Sequence, residues 1–316
     1  MSSSRPQLFG RSLGLTLAAG LLLAGCAVGA PSASPSESGS ASGASSAPST
    51  TTTQAVLASA AWGENVQITL GATTIAFVSA GIPNHNRQAE YAVPNDGVRV
   101  PDASTAHAVT DPTVAQNYAY TITTTPTFAA APTDTSLGAI GLMISGATLF
   151  NPYEGDGSTV ATASNFSVKN AQGQDVWFLD SCSGHPTPMG QYHYHALPAC
   201  VTAMVDETGG PSHIIGVAFD GFPIYGDRDV SGNEVTAAQL DACNGITSAT
   251  PEFPDGIYHY VLLPTADSTS SIRCLSGVVD ASLVSMAGMP GMAGTPGMPG
   301  MGGSAAGPGP AGMPHP

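Results

Sequence analysis

The chain has 316 residues, 22 of them acidic against seven basic, for a formal net charge of −15. That balance excludes nucleic acid and anionic lipid headgroups as charge-driven partners, because both require clustered Lys and Arg. Gly and Pro are frequent, at 38 and 26, and the apolar runs between them are short, which points away from long helices and towards strands joined by turns.

The chain opens on a targeting pattern. Arg5 and Arg11 supply positive charge, Leu13 to Leu23 form a short apolar run, and Leu23-Ala24-Gly25-Cys26 follow. A basic start, a run too short to span comfortably and small residues before a cut describe a secretory signal over residues 1–25. "LAGC" resembles a bacterial lipobox, in which the cysteine becomes the lipidated first residue. The expectation is an exported protein anchored to the bacterial cell membrane through acyl chains on Cys26, facing outside the cytoplasm. A plain signal peptide with a chance cysteine is the alternative. Residues 26–55, dominated by Ser, Thr, Ala, Gly and Pro, read as a disordered tether that cannot bury enough apolar surface to fold. The folded domain is expected over residues 56–285. Beyond the signal, five basic residues face 22 acids, a net charge of 5 − 22 = −17.

Within the domain, "VQITL" (66–70), "TTIAFVS" (73–79), "YAYTI" (118–122), "VWFL" (176–179), "HIIGVAF" (213–219) and "YHYVLL" (258–263) read as strands. Each is rich in β-branched or aromatic residues and bounded by turn residues. One short helix is expected near Thr236 to Ala242. The fold class is all-β, a sandwich or distorted barrel with long loops.

Two segments echo each other. Asp180-Ser-Cys182-Ser-Gly184 leads to Pro188-Met-Gly190-Gln-Tyr192-His193-Tyr194. Asp241-Ala-Cys243-Asn-Gly245 leads to Pro254-Asp-Gly256-Ile-Tyr258-His259-Tyr260. The spacing from Cys to His is 11 in the first and 16 in the second, so the repeat is degenerate. Four cysteines remain after Cys26, and an even count in an exported chain points to disulfides. Of three pairings, Cys182–Cys200 and Cys243–Cys274 are expected, since each closes a local loop around a Tyr-His-Tyr run. A four-thiolate metal site is the alternative, disfavoured by the absence of CxxC.

"GQYHYH", residues 190–195, carries the chemistry. Along a strand, residues i and i+2 share a face, so His193 and His195 project side by side while Tyr192 and Tyr194 face the other way. Such a pair is a common route to two imidazole ligands on one transition metal, copper or zinc. Candidate further ligands are His185, His213, His259 and His85. Each also has a structural reading: a hydrogen-bonded strand histidine for the pair, an exposed loop for His185 and His85, and a buried, satisfied ring for His213 and His259. Asp220 is a candidate for orienting a histidine through its second N–H, with an Asx turn as the alternative.

"CSGHPTPMGQYHYH", "HIIGVAFDGFPIYG" and "LDACNG…PEFPDGIYHY" together resemble the YHYH domain family of bacterial exported proteins, over roughly Gly81 to Gly277. The resemblance implies no established activity. Family members often read YHYH in the second motif too, whereas Val261 stands here in place of the last histidine. That implies a principal site at the first motif. The tail, 286–316, puts Gly at every third position from Gly288 to Gly303 and holds six of the ten methionines (Met286, Met289, Met292, Met298, Met301, Met313). Disorder is its default reading, and its thioethers would favour Cu(I). Three functions compete: a metal-binding surface lipoprotein, a zinc-dependent hydrolase or lyase with a carboxylate from Asp180, Asp206 or Asp220, and a non-catalytic binding or structural domain.

Overall fold

The structure, a computed structural model, describes residues 50–135 and 137–284. The expected signal, Cys26, most of the tether and the Met-rich tail lie outside the described residues.

A helix, α1 (Thr50–Ser59), leads into β1 (Val66–Leu70), β2 (Thr74–Ser79), β3 (Glu90–Pro94), β4 (Ala106–Thr110), β5 (Tyr118–Thr123) and β6 (Phe128–Asp134). Then come β7 (Ala139–Met143), β8 (Thr148–Phe150), β9 (Ser167–Lys169), β10 (Asp175–Trp177), β11 (Gly184–Pro186), β12 (Tyr192–Tyr194) and the short α2 (Ala199–Thr202). The chain continues through β13 (Ile214–Ala218), β14 (Pro223–Tyr225), β15 (Gly245–Ser248), β16 (Ile257–Val261), β17 (Cys274–Gly277) and α3 (Ala281–Val284).

Strands dominate, as expected. The main sheet has eight strands in the order β11-β12-β8-β7-β13-β14-β16-β15, with parallel and antiparallel pairs mixed, and it does not close into a barrel. A three-stranded sheet, β1-β2-β5, shares the principal core with it, Tyr120 packing on Phe219 at 4.7 Å between ring centres. The central strands β7 and β13 are apolar almost throughout and buried, the pattern of strands covered on both faces.

Two local expectations differ from the structure. The helix expected near Thr236 is a single 3₁₀ turn, Ala237–Gln239. Conversely, α1 begins inside the expected tether. Its threonines are poor helix formers, but Leu57 is buried, and Gln54 donates through Nε2 to the carbonyls of Gly71 and Thr74 at 2.9 and 3.0 Å. Docking on the β1–β2 hairpin thus overrides local propensity.

The main sheet is a tandem repeat around the antiparallel β7–β13 pair. The order β7-β8-β12-β11 on one side is matched by β13-β14-β16-β15 on the other, each with an antiparallel, a parallel and an antiparallel pairing. The echo therefore starts further upstream than the cysteines. Ile140-Gly-Leu-Met-Ile-Ser145-Gly146-Ala-Thr-Leu-Phe150 aligns without a gap on Ile215-Gly-Val-Ala-Phe-Asp220-Gly221-Phe-Pro-Ile-Tyr225. Gly146 and Gly221 take the same left-handed turn, with φ 91° and 90°.

The Asp-x-Cys-x-Gly turns match atom for atom. Asp180 Oδ1 accepts from the N–H groups of Cys182 and Gly184, and its Oδ2 from the Tyr192 hydroxyl at 2.7 Å. Asp241 does the same with Cys243, Gly245 and the Tyr258 hydroxyl at 2.8 Å. A Cβ on Gly184 would lie 2.5 Å from the Tyr192 hydroxyl, and one on Gly245 would collide with that of Tyr258. Each motif therefore needs its glycine. Disulfides Cys182–Cys200 and Cys243–Cys274 staple the two turns in the expected local pairing.

Candidate metal centre

The first turn delivers three histidines to one point. In the antiparallel β11–β12 register His185 stands directly opposite His193, and His195, two residues on, shares the face of His193. All three are buried, and one ligating atom from each lies within 4.8 Å of the others. His193 Nε2 and His195 Nε2 approach to 2.9 Å. The outer nitrogens are already committed: His195 Nδ1 meets the Asn151 carbonyl at 2.8 Å and His193 Nδ1 the Gln191 carbonyl at 3.2 Å. A carbonyl only accepts, so both Nδ1 atoms carry the proton and both Nε2 atoms present lone pairs. Two acceptors thus face each other. His185 adds two buried ring nitrogens without a hydrogen-bond partner.

The surroundings are apolar on one side. Phe150 stacks on His193 with centres 3.9 Å apart, and Phe178 packs on His185 at 4.1 Å. Burial therefore holds the imidazoles neutral. It pushes His195 down to about 4 and His185 and His193 well below the ordinary histidine value, with the neighbouring rings adding to the effect on those two. Neutral imidazole is the ligating form.

All three histidines open onto a cavity of about 330 Å³. Its wall includes Glu154, which is 6% exposed. Burial raises the Glu154 carboxyl to about 7, and among the described residues the only side chain that bonds it is the Ser164 hydroxyl at 3.5 Å. Nothing in "NPYEGDG" distinguishes Glu154 from a loop acid by pattern. Arg99, also on this cavity, was equally silent in the sequence.

The remaining candidates lie elsewhere. His85 Nε2 hydrogen-bonds the Tyr194 hydroxyl at 2.6 Å and its Nδ1 sits 3.6 Å from Cys182 Sγ. Both sulfurs of that neighbourhood are tied in the Cys182–Cys200 bridge, so His85 has no thiolate partners. His213 Nδ1 is hydrogen-bonded to the Glu252 carboxylate at 2.7 Å on the second repeat. His259 is the repeat mate of His193, with the same Nδ1 bond to a carbonyl two residues back, Ile257, at 3.0 Å. Its would-be partners are Ile246, opposite it in the register, and Val261, where the first repeat has His185 and His195. The matching cavity there has shrunk to about 10 Å³.

Asp220 does not orient a histidine. It is fully buried and accepts from the Tyr260 hydroxyl at 2.6 Å and the Gly277 N–H at 2.8 Å, the counterpart of the Ser145–Tyr194 pair. Asp180 and Asp206 are likewise committed, to Tyr91 and Tyr192 and to the His213 N–H.

The fold and site define a class: a largely strand-built domain whose main sheet is two repeats, one of which brings together three neutral, buried imidazoles able to hold a metal ion. The chain belongs to the YHYH protein family, whose model matches residues 119–234 and 228–277. No curated protein and no solved structure matches the chain.

Proposed function

We propose that this is an exported lipoprotein, anchored through Cys26, whose YHYH domain binds zinc or copper through His185, His193 and His195. The carrying observation is the pair of facing Nε2 atoms at 2.9 Å whose Nδ1 protons are both committed to carbonyls. A cation between the two lone pairs would satisfy such a pair, and His185 can supply the third nitrogen. Tetrahedral zinc with bonds of about 2.0–2.1 Å would spread two nitrogens to about 3.3 Å, a shift of tenths of an ångström. Three imidazoles suit zinc and copper alike. The membrane is the expected partner through the lipid anchor. Mass spectrometry of metal bound to the natively purified protein tests the site: wild type should carry one equivalent, and His193→Ala and His195→Ala should fold but carry none. Fatty-acid labelling that marks wild type but not Cys26→Ser tests the anchor.

A second reading, a zinc-dependent hydrolase or lyase, is favoured by Glu154. A carboxyl that titrates near neutrality beside three ligands and a cavity is placed to exchange a proton with a metal-bound water. Its test is turnover of ester or hydratable substrates by the zinc-loaded protein, lost in Glu154→Gln with zinc content unchanged.

A further inference from the structure

The cavity beside the histidines has a composition that selects what enters it. Its walls are largely apolar, with Val98, Pro101, Leu137, Phe150, Phe178 and Met189 among them. Charge is supplied by Arg99. The described residues contain five basic side chains, and four are engaged. Arg87 pairs with Asp111 at 2.9 Å, Lys169 with Asp175 at 2.9 Å and Arg228 with Glu234 at 3.6 Å, while Arg273 donates to Asn244 and to the Asp241 carbonyl. Among the described residues, only the Arg99 guanidinium makes no hydrogen bond or ion pair, although acids outnumber bases 22 to seven in the chain. Arg99 is exposed, so water solvates it in the free protein and leaves it available to an anion that enters the cavity.

We propose that this cavity is the binding site of a small organic monocarboxylate with an apolar body, its carboxylate held by Arg99 and its body lodged between Phe150 and Phe178. The proposal rests on reading the cavity as the working side of the metal centre. A single unpaired guanidinium fits one carboxylate in a bidentate fork better than a dianionic phosphate, which would call for further donors. Apolar walls bind hydrocarbon and leave only a few polar groups to orient it. Residue 155 is glycine, and a Cβ there would stand 2.9 Å from the Arg99 carbonyl, so Gly155 lets the Arg99 loop close directly over the segment that carries Glu154. Burial raises the Glu154 carboxyl to about 7, so near neutrality it offsets the Arg99 charge only in part.

The test compares benzoate with its uncharged isostere benzamide, by calorimetry, on the full-length protein both zinc-loaded and chelated. Wild type should bind benzoate about tenfold or more tighter than benzamide, the scale of a charge-assisted hydrogen-bonded pair. Arg99→Gln should abolish that preference while zinc content and melting temperature stay at wild-type values, and Arg99→Lys should retain part of it. Equal binding of the two probes by wild type, binding of neither up to the probe's solubility, or a preference that survives Arg99→Gln overturns the proposal. A preference that survives Arg99→Gln only in the zinc form assigns the anion to the metal instead. If wild type takes up no zinc, the metal reading fails on its own, and the same comparison on metal-free protein still decides the role of Arg99.

Discussion

Replacing His185 by isoleucine should have opposite effects on stability with and without metal. The second repeat already carries Ile246 at the matching position, opposite His259, so this backbone accommodates the side chain, and a β-branched residue suits a strand. Without metal, His185 is a liability. It is 6% exposed and both ring nitrogens lack a partner, a burden of about 1–3 kcal/mol for each unsatisfied group. Isoleucine removes both. Against this stands the lost ring contact with Phe178 at 4.1 Å, worth about 0.5–1.5 kcal/mol. The chelated His185→Ile protein should therefore be more stable than chelated wild type, by about 3 kcal/mol at the middle of these ranges. With zinc present the order should reverse, because only wild type gains binding energy: about 4 kcal/mol when free zinc exceeds the dissociation constant a thousandfold. Urea denaturation of both proteins in chelator and in buffered zinc measures all four values. A substitution that destabilises equally in both media would show that His185 is an ordinary packing residue and that the site holds no metal.

Other consequences follow from the same geometry. Cys200→Ser and Cys274→Ser, which open loops of 18 and 31 residues, should cost about 3 and 4 kcal/mol, and the first alone should also weaken metal binding. Gly184→Ala forces a Cβ to 2.5 Å from the Tyr192 hydroxyl and 2.8 Å from the His193 carbonyl; a loss of about 1–3 kcal/mol in denaturation is expected, with weaker metal uptake. For the chelated protein, the pH dependence of stability follows from two opposed shifts. The buried histidines have depressed values, His195 about 4 against an ordinary 6.5, so the unfolded chain takes up their protons first and stability falls from pH 6.5 to 4, by about 3 kcal/mol for His195 alone. Glu154 is raised to about 7 from 4.5, so its contribution grows as pH falls through that window. His185 and His193 tip the sum towards acid loss, and Glu154→Gln, which removes the opposing term, should make the loss steeper in denaturation curves measured at pH 7, 5.5 and 4.5.

How much of this was legible in the sequence depends on which interactions are local. The strands were visible because alternation and β-branching are local signals, and the His193–His195 pair followed from the two-residue strand period. The third ligand was not decidable from spacing. His185 lies eight residues before His193 and His213 twenty after it, and only the β11–β12 hairpin register puts His185 opposite His193. The Asp-x-Cys-x-Gly echo was readable. Its upstream half was hidden because Ser145 and Asp220 answer the same tyrosine position with different chemistry, a hydroxyl for Tyr194 and a carboxylate for Tyr260. For Asp220 the Asx-turn alternative holds, with the Phe222 N–H on Oδ1 at 3.3 Å, while its tyrosine partner comes from β16, far along the chain. Glu154 and Arg99 sit in irregular loops whose positions are set by packing against Gly155 and the cavity walls. No periodicity marks them. Helix α1 was missed because its stability comes from docking rather than from its threonines.

A metal held by three imidazoles of the first repeat is tested most directly by X-ray absorption at the zinc or copper edge on the natively purified protein. It should show three imidazole nitrogens at about 2.0–2.1 Å together with a lighter oxygen ligand, and no sulfur. In His259→Ala, which alters only the closed second repeat, the spectrum should be unchanged. Sulfur in the first shell, a spectrum that changes with His259 but not with His193, or protein purified with no edge signal at all would contradict it.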